Sequence, residues 1–441
     1  MRRIVPGLLI SAFLFSGITG TMAQSAADTN LHNATLAVCV QYAMTHQPAV
    51  QQALIDEDIT EKQIRQRLSD WYPQVSFNYN AQHVFELPTA LVNGVYVKTG
   101  APNSSTVGLG ATQNIFNRDV LFATRTKEDY RKRAKQNTSL TKIDLAVDVS
   151  KAFYDVLLSQ KLISVLDQAI TRLERSLSDA TNQYRAGIVD KTDYKRATIA
   201  LNNAKAQQKY SVNQVTAKLA YLKQLMGLSD NASLQLQYDT ANLKQDAMID
   251  TTMIVKPENR IEFIQLQTQQ QIQAATVKYY KWGYMPSVAA FGNYNLGYLN
   301  NEFTKLYNNT FPTSNLGITL SLPIFQGSRR IMQVKQAELE YKRLGWDMIS
   351  LRNRVNTQYE DALATYKSNL FNYFSLRENV ELAEDVYKTL DLQYRSGIRP
   401  YLDVITAESD LRSAQQNMYV ALFQVVGSKL EVEKALGLIQ Y

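Results

Sequence analysis

Few residues in this chain belong to types that do chemistry, and their spacing points away from catalysis. Histidine occurs three times, at His32, His46 and His83, never in the HExxH pairing that would present zinc ligands on one helical face. His46 precedes Pro48 near a helix break and His83 lies at a strand end, so both read as surface or interface residues. Cys39 is the only cysteine, which excludes an intramolecular disulfide and a cysteine-built metal site. Its neighbours Leu36, Val38 and Val40 mark it as a small core residue. There is no Gly-rich phosphate loop and no GxSxG elbow. Asp and Glu are abundant, yet they stand on helical faces among Lys and Arg, where solvated ion pairs are the default. The formal charge of +7 is interspersed in sign and leaves no nucleic-acid footprint. The residues predict no enzyme, no cofactor and no metal.

The elements that remain are long, periodic and arranged twice. At the N-terminus Arg2 and Arg3 precede an apolar run from Ile4 to about Ile18, and small residues end in Thr21-Met22-Ala23. This pattern predicts a secretory signal peptide over residues 1–23, too short to span as a permanent anchor. Loss of Arg2 and Arg3 would lower the charge by two. No cysteine sits at the cut, so an acylated N-terminus is not expected. No second long apolar stretch follows. From Gln24 to about Asn33 no element is expected.

Beyond residue 33 the chain repeats itself. Tyr184-Arg185-Ala186-Gly187-Ile188 returns as Tyr394-Arg395-Ser396-Gly397-Ile398. The same offset maps Asp193 onto Asp403 and Met226-Gly227-Leu228 onto Leu436-Gly437-Leu438, without a gap. Trp71-Tyr72-Pro73 matches the Trp282–Pro286 segment, and Ile115-Phe116 matches Ile324-Phe325. Residues 24–228 and 257–441 are therefore read as two copies of one unit, joined by a connecting segment at 229–256. Each copy reads helix, strand pair, long helix, tight turn, helix.

The helices carry a coiled-coil seam. Leu166, Ile170, Leu173, Leu177, Ala180 and Tyr184 alternate in steps of four and three, and Leu376, Val380, Ala383, Tyr387, Leu390 and Tyr394 repeat the register. Residues 118–186 and 327–396 contain no internal proline and predict helices of about 100 Å each. Their partners at about 34–71 and 190–226 are near 55 Å, so two short helices stacked end to end would match one long one. Gly187 and Gly397 suit the left-handed position that closes a helix at the turns. Asp190 and Thr192 offer N-cap oxygens, and Pro400 suits the first turn of the last helix.

The segments at about 74–116 and 287–325 differ in character. Val75, Phe77, Tyr79 and Ala81 alternate with polar residues, as do Val107, Leu109 and Ala111. Val288, Ala290, Tyr294, Leu296 and Tyr298 share one parity, and Leu316, Ile318, Leu320 and Leu322 alternate with Gly317, Thr319 and Ser321. Only Glu86, Lys98, Glu302 and Lys305 carry full charge across both segments, all at or beside loops. A lipid-facing charge costs about 2–4 kcal/mol near the midplane, so the depletion fits outer-membrane strands. Four strands cannot close a barrel, and open edges are not tolerated in lipid, so oligomerisation follows if the strands are inserted. The predicted class is mainly α with a membrane β-barrel portion.

On these residues the chain resembles the TolC-type outer-membrane efflux proteins over essentially its whole mature length. The duplicated Tyr-x-x-Gly followed by Asp, the Met-Gly-Leu and Leu-Gly-Leu that end the two halves, and the helix-to-strand junctions at Pro73 and Pro286 carry the resemblance. It implies a homotrimer with a twelve-stranded barrel in outer-membrane lipid and an α-helical tunnel in the periplasm. It also implies docking to a periplasmic adaptor (membrane fusion) protein and an inner-membrane transporter, in a tripartite pump or type I secretion system. In that family a network near the turns closes the periplasmic end. Tyr394, Arg399 and Asp403 occupy the matching positions on the second turn and Asp193 on the first. Thr406 stands where relatives carry a further carboxylate. Independently of the resemblance, an arginine fork facing a carboxylate makes a bidentate bond that can break and re-form. A trimer would set Asp193 in a charged ring suited to cations. The rival class is a structural or adaptor-like periplasmic coiled-coil protein, which would share the hairpins but would not need charge-depleted strands.

Overall fold

The structure is a computed structural model that describes residues 31–237 and 247–441. The expected signal peptide over 1–23 lies outside the described residues. The first half contains β1 (Leu31–Ala34), α1 (Leu36–His46), α2 (Pro48–Ser69), β2 (Gln74–His83), β3 (Thr89–Val92), β4 (Val95–Lys98), β5 (Asn103–Phe116), α3 (Arg118–Arg185), α4 (Lys191–Met226) and β6 (Leu234–Leu236). The second contains α5 (Ile261–Lys281), β7 (Ser287–Asn300), β8 (Phe311–Ser321), α6 (Arg329–Arg395) and α7 (Tyr401–Leu436). Short 3-10 turns occupy Pro257–Asn259, Trp282–Tyr284 and Phe303–Asn308.

The long helices appear at 68 and 67 residues, within two residues of their expected ends. The first short helix, expected over about 34–71, is two helices, with the break expected beside Pro48 separating α1 from α2. Pro48 has no N–H to donate and holds Gln47 extended (φ −65°, ψ 125°), so α1 ends and α2 restarts with proline in its first turn. Pro400 stands one residue before α7, in the N-cap position, rather than inside its first turn. The expectation of no element up to about Asn33 is corrected at its end, because β1 starts at Leu31, where pairing parallel to the distant β6 orders it; a small β3–β4 hairpin, turning on Asn93-Gly94, carried no sequence expectation.

The short helices stack end to end. A methyl group added at Gly227, just past α4, would lie 2.6 Å from the carbonyl oxygen of His46, immediately before α2. One added at Gly437, just past α7, would lie 3.3 Å from the carbonyl oxygen of Asn259, immediately before α5. Each joint thus brings the negative end of one helix dipole to the positive end of the next, and at the first the end of α1 shares the same point. The composite helices α4/α2 and α7/α5 run beside α3 and α6 respectively.

The four main strands form one antiparallel sheet in the order β2-β5-β7-β8. Its register aligns the alternating residues: Phe77 faces Leu109, which faces Tyr294, while Val75, Ala111, Gly292 and Leu316 form another row. All four apolar sets therefore share one face. Leu316 is 88 % exposed and Ile318 71 %, so in the single chain that face is open. The opposite face carries asparagines over glycines. Asn293 donates to the side chain of Asn315 at 3.1 Å, and a Cβ at Gly108 would collide with Asn295. The charge-poor reading holds here too, with Lys305 and Glu302 paired at 2.8 Å in the loop.

The apolar core sits midway along the molecule, where α1, α3, α4, α6 and α7 converge. Cys39, Phe153, Val156, Leu222, Met226, Tyr366 and Val425 are all fully buried there. Burial contributes about 1.5–3 kcal/mol for a side chain such as Leu222. It also pushes the Cys39 thiol up to about 12, which makes this residue an inert filler. The connecting segment is laced to α6 by tyrosines. The Tyr366 hydroxyl donates to the Ala247 carbonyl at 3.0 Å and accepts from the Ile249 N–H at 3.2 Å, and the Tyr359 hydroxyl donates to the Met253 carbonyl.

Among the ion pairs that fix helices to one another, two carboxylates are each held by a pair of arginines. Arg131 on α3 grips Glu61 on α2 through two nitrogens, at 2.7 and 3.0 Å. Hydrogen bonds from Arg131 and then Arg65 hold the Glu61 carboxyl down at about 2. Farther along, Glu408 of α7 is almost wholly buried between Arg172 of α3 (3.2 Å) and Arg412 (3.5 Å). This contact ties the first hairpin to the second.

The Glu61 contribution is complete above its unfolded value near 4.5 and is lost as pH falls from there toward 2. The melting-temperature difference between the wild type and Glu61→Gln is therefore expected to shrink over that interval, as read by circular dichroism. Glu408→Ala leaves Arg172 buried without its carboxylate and is expected to cost about 3–5 kcal/mol in denaturant unfolding, whereas Glu433→Ala, in a partly exposed pair on the same helix, costs about 0–1 kcal/mol.

Candidate functional site at the helical turns

The seam that leads to the turns is buried to different depths in the two copies. Leu166, Leu173 and Ala180 are at most 1 % exposed, whereas Leu376, Val380, Ala383 and Leu390 are only half-buried. The cause is packing: α3 is flanked by its own partner α4 and also by α7 of the other hairpin. The two turns nonetheless close in the same way. Gly187 and Gly397 both sit at φ +74°. The N–H of Ile188 donates to Gln183 and that of Gly187 to Tyr184; Ile398 and Gly397 do the same to Gln393 and Tyr394, all at 2.9–3.0 Å. This doubled bond pattern satisfies the last carbonyls of each long helix and requires a residue at ease in the left-handed region. Asp190 then caps α4 by accepting from the Thr192 N–H at 3.2 Å.

Behind the turns lies a small core of its own, formed by Ala180, Ala197, Tyr394, Tyr401 and Val404. Tyr394 is 4 % exposed and its ring lies 5.4 Å from that of Tyr401. Burial pushes the Tyr394 phenol up to about 12, helped by the carboxylates of Asp193 and Asp179, so it stays a protonated donor at neutral pH. Tyr401 is shifted in the same direction, chiefly by burial. Neither hydroxyl finds a protein partner among the described residues.

Of the expected site residues, Arg399 and Asp403 come together at 3.6 Å, one turn apart across the start of α7 and both part-exposed. Asp193 is half-buried in the first turn of α4, and no ion pair joins it to Arg399 among the described residues. Thr406 bonds back to the Leu402 carbonyl at 2.9 Å. The ion pair that does cross between the long helices had no sequence expectation: Arg395 reaches Asp179 of α3 at 3.6 Å and Asp391 of its own helix at 3.1 Å. Its one signal was the Tyr-Arg step that repeats Arg185 after Tyr184. Arg172 with Glu408 had none, since 236 residues separate them.

No helix among the described residues is long and apolar enough to cross a membrane, and no group of side chains among them could hold a metal ion. The chain is similar to outer membrane protein TolC of Escherichia coli, 20 % identical over 409 residues that cover 90 % of this chain and 81 % of the relative. It is 22 % identical to the probable efflux pump outer membrane protein TtgC of Pseudomonas putida, covering 92 % and 83 %. In fold it resembles the outer membrane protein VceC of Vibrio cholerae, with a TM-score of 0.71 at 15 % identity over 91 % of this chain and 96 % of the other. The family model described as outer membrane efflux protein matches residues 39–228 and 258–438. Jointed hairpins, a charge-free sheet and these matches lead to one conclusion: the chain belongs to the outer membrane efflux protein family, the TolC-type, non-catalytic efflux channels of the outer membrane.

Proposed function

We propose that three copies of this chain form a passive duct from the periplasm to the exterior, with a twelve-stranded barrel in the outer-membrane lipid. The observation that carries this reading is the sheet with its apolar face open and the outer edges of β2 and β8 without partners among the described residues. In hydrocarbon every backbone N–H and C=O must be paired, which a closed ring of copies achieves and a lone sheet does not. The helices continue each strand downward as a wall, and three such walls enclose a tunnel.

The duct works with a periplasmic adaptor and an inner-membrane transporter, which supply the energy for export. A cleft of about 620 Å³ between α4 and α7, lined by polar residues such as Arg196, Asn203, Gln207 and Gln416, offers hydrogen-bonding groups to a helical partner. The periplasmic end is gated at the turns. Asp193 contributes one carboxylate per copy to a charged ring at the mouth. Arg399 and Asp403 hold the start of α7, while buried Tyr394 keeps it against the first hairpin.

Purified in detergent, the protein is expected to have the mass of a trimer, and in a planar bilayer it conducts weakly. A water-soluble species that never conducts would overturn the channel reading. Arg399→Ala and Asp403→Ala are each expected to raise single-channel conductance several-fold. Conducting trimers indifferent to both changes would remove these two residues from the gate while keeping the channel.

A further inference from the structure

The apolar face of the sheet does not stay apolar to its end. Beyond Tyr79, Val107 and Leu296 its next rows hold Ala81, Ser105 and Tyr298, then His83, Asn103 and Asn300. On the inner strands these polar groups are covered, fully at Ser105 and Asn103 and by half at Tyr298 and Asn300, while His83 on the edge strand stays exposed. The 303–308 turn folds back over β5 and β7, with Leu306 2 % exposed beneath it, and leaves Ser105 at 1 % and Asn103 at 3 %. Tyr307 from this strap shares a 3.0 Å hydrogen bond with the Tyr79 hydroxyl, donates to Ser105 Oγ at 3.4 Å and packs edge-on against Tyr298. Asn103 donates to the carbonyls of Asn300 and Asn301 and meets His83 at 2.7 Å, and Asn300 donates to the Lys305 carbonyl.

A loop that only linked two strands in water would not need to seal the side of the sheet that meets lipid. Two large apolar side chains also project from this rim, Phe303 at 74 % and Phe85 at 93 % exposure. Phe85 stands against the His83 ring, 4.9 Å away. Tyrosines with bonded hydroxyls, followed by free phenylalanines, suit the boundary where acyl chains give way to headgroups.

We propose that the 303–308 strap is an interfacial anchor whose Phe303, together with Phe85, inserts into the upper acyl region of the outer leaflet and fixes the depth of the barrel. This rests on the reading that the apolar face meets lipid, and the test separates the two. Nitroxide labels are placed at Phe303→Cys and, as reference positions, at Leu109→Cys in the middle of the apolar face and Asn93→Cys in the exposed turn. Cys39 is fully buried and stays unlabelled. Accessibility to oxygen and to a nickel chelate is read on trimers in phospholipid vesicles. The anchor predicts that the label at 303 favours oxygen, with nickel accessibility several-fold below that at 93. Tyr307→Ala, which releases the strap, is expected to raise nickel accessibility at 303 to the level at 93. A label at 303 as open to nickel as that at 93, with 109 in lipid, overturns the anchor alone. A label at 109 open to nickel overturns lipid insertion itself. No change at 303 in the Tyr307→Ala protein overturns the strap's part in holding the anchor.

Discussion

The rest of this structure depends on the rule that backbone hydrogen bonds must be satisfied wherever water is absent. A four-stranded sheet with an apolar face meets that rule inside itself but not along β2 and β8. The elements below the sheet are consistent with the proposed ring of copies meeting edge to edge. The strands carry almost no charge, their polar face is filled by asparagine and glycine, and each strand runs directly into or out of a helix of the wall. The wall continues the sheet because β2, β5, β7 and β8 are each joined to one of its helices.

Duplication solves the wall economically without making its halves equal. The same seam register and the same doubled closure at Gly187 and Gly397 are used twice. Yet α3 is enclosed on more sides than α6, and its seam is dry where that of α6 is half-open. The buried charges follow this asymmetry. Glu408 is held between Arg172 and Arg412 at the place where the hairpins meet, and Arg395 spans the long helices nearer the turns. A buried pair of this kind is a modest source of net stability but a strict specifier of register, because a shift in register strands a charge.

Much of the architecture could be read from the amino-acid sequence because period and length are local properties. The heptad, the alternation around Val75 and Leu316, the absence of proline in the long helices and the turn glycines each depend on near neighbours. The structure adds what depends on contacts between distant segments. The β1–β6 pairing joins residues some 200 apart with only three or four residues a side. The β3–β4 hairpin does have a local signal, Asn-Gly between apolar residues, set within the loop between the two longer strands β2 and β5. Arg399 and Asp403 stand beside each other at the start of α7, Arg399 just ahead of the helix and Asp403 in its first turn, so their pair bridges no two helices. The cross-helix partner proved to be Arg395, whose charge looked like one of many on a solvated face.

The end-to-end joints at Gly227 and Gly437 have a mechanical meaning. On one side of each pair a single unbroken helix carries bending load through continuous backbone hydrogen bonds. On the other side the load crosses a butt joint with no continuous backbone ladder, held by packing, helix dipoles and, at the second joint, the attraction of Lys434 for Glu262. Such a laminate is stiff against flexing that would stretch α3 or α6 and compliant toward flexing that opens the joint. Both joints lie at the level of the apolar core, between strands and turns, and both occur in the composite member. A movement at the turns would therefore bend the unbroken α3 and α6 while the composite members yield at their joints, and the strain would fall at the apolar core, short of the sheet.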